Sequence, residues 1–288
     1  MLFCFNILAW LIVYDLSKSH FLEVSFFDVG QGDAIFIETP KRHQILIDGG
    51  PDSTILEKLA KEMPFWDRSI DLIILTHPDT DHISGLIEVL KRYKVEKILW
   101  TGIVKDSPIY QEWLKSIEKE KAIIFIAQAG QRIKARKVSL NILWPMENLK
   151  GKRVKNDDNT SIVAKLNFGL NSFLFTGDIS KSVEEELIKK FNLNSDILKI
   201  AHHGSKTSTA EEFLKEVSPK IAVISVGANK EVKTPDCDNK KRNKYGHPNC
   251  EVLERLKKLG IKILRTDEDS DIKILSNGIR YEVSNFQN

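Results

Sequence analysis

Within six positions, His77-Pro78-Asp79-Thr80-Asp81-His82, the chain places two imidazoles and two carboxylates directly after the apolar run Leu72–Leu75. In an extended turn alternate side chains project to one side, so His77 and Asp79 can reach one cation. Asp81 and His82, at the entry to a following helix, are free to reach a second. A helix start with Asp79 as its N-cap explains one carboxylate and neither histidine. Nitrogen and oxygen donors without thiolate suit Zn²⁺, Mn²⁺ or iron, and the share of carboxylates tilts the choice toward Mn²⁺ or a zinc pair. The chemistry such a set supports is hydrolysis, in which a cation lowers the pKa of water and stabilises charge on the oxygens of the group attacked.

Other polar groups close apolar runs. Asp48 precedes Gly49-Gly50, and Asp178 follows the run Ser172–Thr176 through Gly177, which lets the backbone turn sharply. His202 and His203 end the run Asp196–Ile200, before Gly204-Ser205, while Asp28 and Asp33 flank Gly30 and Gly32. His247 stands before Pro248 at a helix start. Taken singly, Asp48 and Asp178 also read as turn residues and each histidine as structural.

Taken in order, Phe27-Asp28-Val29-Gly30-Gln31-Gly32-Asp33-Ala34, Leu46-Ile47-Asp48-Gly49-Gly50, the His77–His82 cluster, Thr176-Gly177-Asp178, His202-His203-Gly204-Ser205 and Tyr245-Gly246-His247-Pro248 resemble the motifs of the metallo-β-lactamase fold. That fold's first metal motif reads H-x-H-x-D-H. Here it reads H-x-D-x-D-H, the form found in the hydrolase domain of ComEC-type competence proteins, membrane proteins of bacterial DNA uptake. The resemblance runs from Phe21 to about Leu259. It implies an α/β fold, a four-layer αβ/βα sandwich of two mixed sheets flanked by helices. It also implies one or two Zn²⁺ or Mn²⁺ ions held among His77, Asp79, Asp81, His82, Asp178, His202 and His203, with Asp178 bridging and His203 the last ligand of the second ion. Asp28, Gln31, Asp33, Asp48, Asn159 and Ser205 would orient ligands or face substrate. Asp81 or Asp178 would orient the attacking water and His247 protonate the leaving oxygen. One departure stands out: the fold normally carries another histidine before the strand leading to the bridging Asp, and Asn156-Asp157-Asp158-Asn159-Thr160-Ser161 has none. His202, His247, Asp158 or Asn159 would have to replace it.

The elements that must position these groups alternate in period. Three strand-like runs come in succession, Phe21–Asp28, Ala34–Glu38 and Gln44–Asp48, and point to an antiparallel or mixed sheet. A helix from Ser53 to about Lys61 precedes the strand Asp71–Thr76, and another runs from His82 to about Tyr93. Strands follow over Lys97–Trp100, Ala122–Ile126, Val138–Trp144, Ser161–Phe168, Ser172–Thr176, Asp196–Ile200 and Ile221–Val226, with helices over Lys181–Phe191, Thr209–Val217 and Asn249–Leu259. The tail reads as three short strands. Strands then helices, given twice, predict two βα halves folded together with the site at the shared strand ends.

At 288 residues and 42% apolar composition the chain can bury a large core, and a net charge of +3 neither demands nor excludes an acidic partner. Cys4, Cys237 and Cys250 read as ordinary thiols; without a CxxC spacing, Cys237, His247 and Cys250 are a weak zinc pattern. Met1–Tyr14 is apolar but shorter than the roughly 20 residues that span a bilayer. The favoured division is an apolar segment over 1–18, read as a membrane anchor, and a hydrolase domain over 19–288. That places the protein at the membrane or exported with the hydrolase outside the cytoplasm, or in the cytoplasm if the segment is no anchor. Two basic stretches, Lys150–Lys155 and Lys230–Lys244, would contact phosphates if they border the site, which favours a nucleic acid, and the resemblance to the DNA-uptake proteins implies DNA, with single-stranded DNA the expected partner. No dedicated protein partner is evident. The alternatives are a phosphodiesterase or esterase for a small molecule or cell-wall substituent, and a metal-bearing module that binds DNA with little catalysis.

Overall fold

The computed structural model describes residues 21–228 and 245–285 together with Trp10; the expected anchor over 1–18 and the basic loop over 229–244 otherwise lie outside the described residues. Two sheets pack face to face with helices on both outer surfaces. The first half supplies β1 (Leu22–Phe26), β2 (Ile35–Glu38), β3 (Gln44–Ile47), α1 (Thr54–Glu62), β4 (Ser69–Leu75), α2 (Thr80–Leu90), β5 (Lys94–Trp100), α3 (Pro108–Glu120) and β6 (Ile123–Ile126). The second supplies β7 (Arg132–Ala135), β8 (Val138–Trp144), β9 (Val163–Phe168), β10 (Asn171–Phe175), α4 (Lys181–Lys190), β11 (Ile197–Lys199), α5 (Glu211–Val217), β12 (Ile221–Ile224), α6 (Cys250–Lys258) and β13 (Lys262–Arg265). After α7 (Thr266–Asp269), β14 (Ile272–Ser276) and β15 (Tyr281–Asn285) return to the first sheet. The sheets are ordered β15-β14-β1-β2-β3-β4-β5-β6 and β13-β12-β11-β10-β9-β8-β7. This is the expected four-layer α/β sandwich of two mixed sheets.

Local sequence explains the layering. The pairs β3–β4, β4–β5 and β5–β6 are parallel, as are β10–β11, β11–β12 and β12–β13, each joined through a helix. Strands covered on both faces need apolar side chains on both, and Ile70 with Leu72–Leu75 are all buried. Three cores result: one between the sheets around Phe26, Phe173 and Phe175, one under α1–α3 around Leu46, Ile73 and Trp113, and one under α4–α6 around Leu198, Phe213 and Leu256. Because β1, β3, β4, β5, β10, β11 and β12 all run the same way, the polar residues that follow them emerge at one end.

Several elements differ from expectation. Helix α3 has no counterpart in the sequence reading, although Ser107 accepts a hydrogen bond from the Tyr110 N–H and Pro108 fits a first turn. Strand β7 and helix α7 are likewise additional. His202 and His203 lie in a short 3₁₀ turn, Ala201–Gly204, and not on extended chain; both are left-handed, with φ of 51° and 53°. Cys250 is disulfide-bonded, so the reading of ordinary thiols is corrected and this sulfur cannot serve a zinc ion as thiolate.

One buried acid outside the site makes stability sensitive to pH. Helix α5 starts after Ala210, which has no side-chain cap to offer, and Glu184 of α4 instead accepts from the Thr209 and Ala210 N–H groups at 2.5 and 2.8 Å. Burial pushes the Glu184 carboxyl up to about 7 against the pull of those donors. The folded state therefore holds this proton more tightly than the unfolded chain, where the value is 4.5. Its contribution is complete below the unfolded value and lost as pH rises through about 7. Thermal melts across that range should show wild-type Tm falling more steeply than that of Glu184→Gln; parallel curves would refute the assignment.

Candidate metal centre

Directly after β3 stands Asp48, itself left-handed at φ 56°. Its carboxylate accepts from the Thr76 N–H at 2.8 Å and the Thr76 hydroxyl at 2.6 Å, and meets His82 Nδ1 at 2.8 Å. A carboxylate can only accept from that nitrogen, so Nδ1 carries a proton and Nε2 faces inward. Helix α2 reaches this place by backbone contact. A Cβ on Gly85 would lie 1.8 Å from the Gly49 carbonyl oxygen, so only glycine lets the helix approach. His77 Nδ1 lies 3.1 Å from the Thr76 hydroxyl and 3.3 Å from that of Ser161. His203 Nδ1 donates to the Ser225 carbonyl at 2.9 Å.

In each case the partner on Nδ1 leaves Nε2 pointing into one pocket. The Nε2 atoms of His77, His82 and His203 are buried and make no hydrogen bond. Carboxylates face them: Asp178 Oδ2 is 3.4 Å from His82 Nε2 and 3.2 Å from His203 Nε2, and Asp81 Oδ2 is 3.4 Å from His203 Nε2. Donor atoms of His77, His82 and Asp178 lie within 4.8 Å of one another, as do those of Asp81, His82 and His203. Asp178 thus stands between two groups of donors. Buried nitrogen and carboxylate donors that converge with no hydrogen bond made by the Nε2 atoms fit a divalent cation.

The charges agree. Burial alone would raise Asp178, but His203, His82 and Lys199 hold it well below the usual carboxylate range. Burial also opposes the charge on His82 and His203, yet the surrounding carboxylates, Asp178 foremost, raise both well above the ordinary histidine value. His77 goes the other way, pushed down to about 4 by burial and by His82. Without a cation the cluster is held by protons, which a metal ion would have to displace.

Lys199 is a site residue that the sequence reading passed over. Fully buried, its ammonium contacts Asp33, donates to the Gly177 carbonyl at 3.1 Å and lies 3.5 Å from Asp178 Oδ1. One oxygen of Asp178 is thereby engaged and the other left to the histidines. The signal was a lysine inside an apolar parallel strand, where a charge is almost never buried unpaired. Ser161 is a second such residue: its hydroxyl accepts from the Asp178 N–H at 3.0 Å while touching His77.

The remaining predicted residues divide. Asp79, with Asp158, joins His77 in a further donor group, which brings beside His77 one of the four residues named for the place of the absent histidine. Lys105 contacts Asp79 and pairs with Asp157 at 2.7 Å. Asp33 lies 3.4 Å from His203 Nδ1. His202 is partly exposed at the mouth, 3.8 Å from Asp158 and 4.0 Å from Asp178, and belongs to none of the tight groups among the described residues. His247 packs its ring near those of His202 and His203, at 5.6 and 6.5 Å between centroids. Burial, then His203 and His202, push His247 down to about 4. Three others serve the backbone: Asp28 accepts from the Gly30 N–H, Asn159 from the Ser180 N–H, and Ser205 from the Thr207 N–H. The Gln31 side chain reaches the Gly227 N–H at 3.5 Å, linking the β1–β2 loop to the end of β12.

This fold and donor set define a metal-dependent hydrolase of the metallo-β-lactamase type. Residues 27–107 and 148–228 match the model of the metallo-beta-lactamase superfamily, and the chain belongs to that family. It is similar to ComE operon protein 3 of Bacillus subtilis, at 30% identity over 94% of this chain and 35% of that protein. It is also similar to competence protein ComA of Neisseria gonorrhoeae, at 32% identity over 85% of this chain and 31% of that protein. The chain therefore spans about a third of the length of these relatives. The fold is shared with the metallo-beta-lactamase fold protein YhfI from Bacillus subtilis, with a TM-score of 0.53 at 16% identity, covering 84% of this chain and 95% of that one.

Replacing Lys199 by Met would strand Asp33 and Asp178 without their buried cation, which costs about 3–5 kcal/mol when one partner of such a pair is removed. Urea denaturation of the metal-free protein measures it. A loss no larger than that of an ordinary surface substitution would mean that the ammonium is not the partner described.

Proposed function

We propose that the chain is a metal-dependent phosphodiesterase that cleaves DNA, preferentially single-stranded, outside the cytoplasm. One observation carries the reading: a cleft of about 400 Å³ shares Asp79 and Asp158 with the donor cluster and is lined further by Lys105, Arg153 and Lys155 together with Asp106 and Asp157. Cations stand beside the ligands, where the phosphates of a polyanion flanking the scissile bond would lie. Of the first basic stretch only Arg153 and Lys155 line this cleft, since Lys152 pairs outward with Glu147 at 2.8 Å. The similarity to two competence proteins supports DNA as the substrate class. The disulfide at Cys250 supports an oxidising compartment, and the apolar run Met1–Tyr14 a tether to the membrane.

When bound among His77, Asp79, Asp81, His82, Asp158, Asp178 and His203, one or two divalent ions, Mn²⁺ or Zn²⁺, supply Lewis acidity and a water of lowered pKa. The protein's own residues do the rest. Asp48, Ser161 and Ser225 fix the imidazoles, and Lys199 fixes Asp178. Asp81, held below the usual carboxylate range despite burial by its contacts with His203 and His82, is an ionised acceptor able to orient water. His247, whose ring lies beside those of His202 and His203 and whose pKa is pushed down to about 4 by burial and by those two histidines, is placed to protonate the departing oxygen.

Incubating the chain with Mn²⁺ or Zn²⁺ and single-stranded DNA, beside a chromogenic phosphodiester, tests this. Cleavage should require the metal, stop with a chelator, and fall at least about 100-fold in Asp178→Asn, the scale of losing one stabilising group at a reacting centre. Arg153→Glu with Lys155→Glu should weaken DNA cleavage, spare the small ester, and shallow the salt dependence by roughly one to two. Hydrolysis of the small ester alone would favour the small-molecule reading, and binding without cleavage would favour a DNA-binding module.

A further inference from the structure

The end of the sandwich opposite the metal centre has a different character. There lie the start of β1, the turns β2–β3, β7–β8, β9–β10 and β14–β15, and the loop leading into β4. The Leu170 N–H donates to the Gly278 carbonyl at 2.6 Å, joining two of these turns across the sheets. Four large apolar side chains stand out from this end: Phe65, 80% exposed, Trp66, 70%, Leu170, 77%, and Ile279, 69%. Phe65 and Trp66 pack edge to face, their centroids 4.8 Å apart. Single exposed apolar residues are ordinary, but a cluster on one end of a domain is not.

Cations surround them. Lys41, Arg42, Arg68, Arg136, Lys137 and Arg280 are all exposed at this end. Most neighbouring acids are engaged within the fold: Asp67 accepts from Gln44 and Ser69, Asp71 from the Gln44 N–H, and Asp196 from Ser172 and Lys220, while Glu38 is half-buried and Glu282 on β15 is exposed. Between the β2–β3 and β7–β8 turns opens a cavity of about 420 Å³, with Val138 and Phe168 as apolar walls and Lys41, Arg136 and Lys137 around it. An apolar hollow rimmed by cations suits an anionic headgroup together with the start of its acyl chains. The chain also enters the domain here, since β1 begins at Leu22, with Asp15–Phe21 between it and the apolar run Met1–Tyr14.

We propose that this end of the domain docks on the surface of a bilayer containing anionic phospholipid, Phe65, Trp66, Leu170 and Ile279 entering the interface and the cations holding the headgroups. Strand β4 has seven residues, so the sheet sets the metal centre roughly 20 Å away and facing outward. The inference is independent of the reaction catalysed.

Flotation of the full chain with vesicles of phosphatidylcholine, with and without phosphatidylglycerol, tests it. Wild type should partition onto the anionic vesicles. Lys41→Glu/Arg136→Glu/Lys137→Glu should lose at least roughly tenfold of that partitioning. Phe65→Ser/Trp66→Ser should weaken binding at either lipid composition, and both variants should keep the circular dichroism of the parent. Equal partitioning of wild type and both variants would overturn the proposal, because residues 1–20 are common to all three and would then suffice. So would failure of wild type to bind, which would leave this face to a protein partner, or charge reversals that lower DNA binding and leave vesicle binding intact.

Discussion

Three buried imidazole nitrogens and a set of carboxylates share one pocket, and everything around them is arranged to keep these donor atoms aimed at a common point. A buried polar atom left without a partner costs about 1–3 kcal/mol, and charged groups cost more. A chain that only needed to fold would fill this space with apolar side chains. The arrangement is stable in isolation because protons on His82 and His203 and the ammonium of Lys199 offset the carboxylates. It becomes chemically useful only when a divalent ion takes over part of that task.

Part of the chain's left-handed backbone lies at the same place. Asp48, His202 and His203 are non-glycine residues in the left-handed region, and all three belong to the loops that surround the pocket. The surrounding framework can hold them so because parallel strands of both sheets deliver their C-terminal ends to one location, and because Gly49 and Gly85 allow a helix to sit against a loop with no side chain between. Each histidine then has its second nitrogen fixed by a different element: β3 for His82, the start of β9 for His77, and the end of β12 for His203. Precision at the site is a property of the sandwich as a whole.

What could be read from sequence was what is dense or periodic. The His77–His82 cluster compresses four donors into one turn, and most strand runs carry an apolar pattern that admits few alternatives. Lys199, Ser161 and Gly85 escaped because each gains its meaning from a partner more than 15 residues away. Lys199 looks like an interruption in a strand until Asp33 and Asp178 close on it, and Gly85 like a weak point in a helix until Gly49 arrives. Helix α3 was hidden because Ser107-Pro108 reads as a turn unless Tyr110 and Trp113 are known to be buried. The replacement for the absent histidine was open among four residues, and only the folded geometry brings Asp158 beside His77 and Asp79.

The measurement that bears most directly on this account is anomalous diffraction at the manganese edge from crystals grown with Mn²⁺. The account predicts a peak within coordinating distance, roughly 2.0–2.2 Å, of His82 and His203 Nε2 and an oxygen of Asp178. A well-ordered crystal in excess metal with no such peak, and with those nitrogens bonded only to water or to each other, would contradict it.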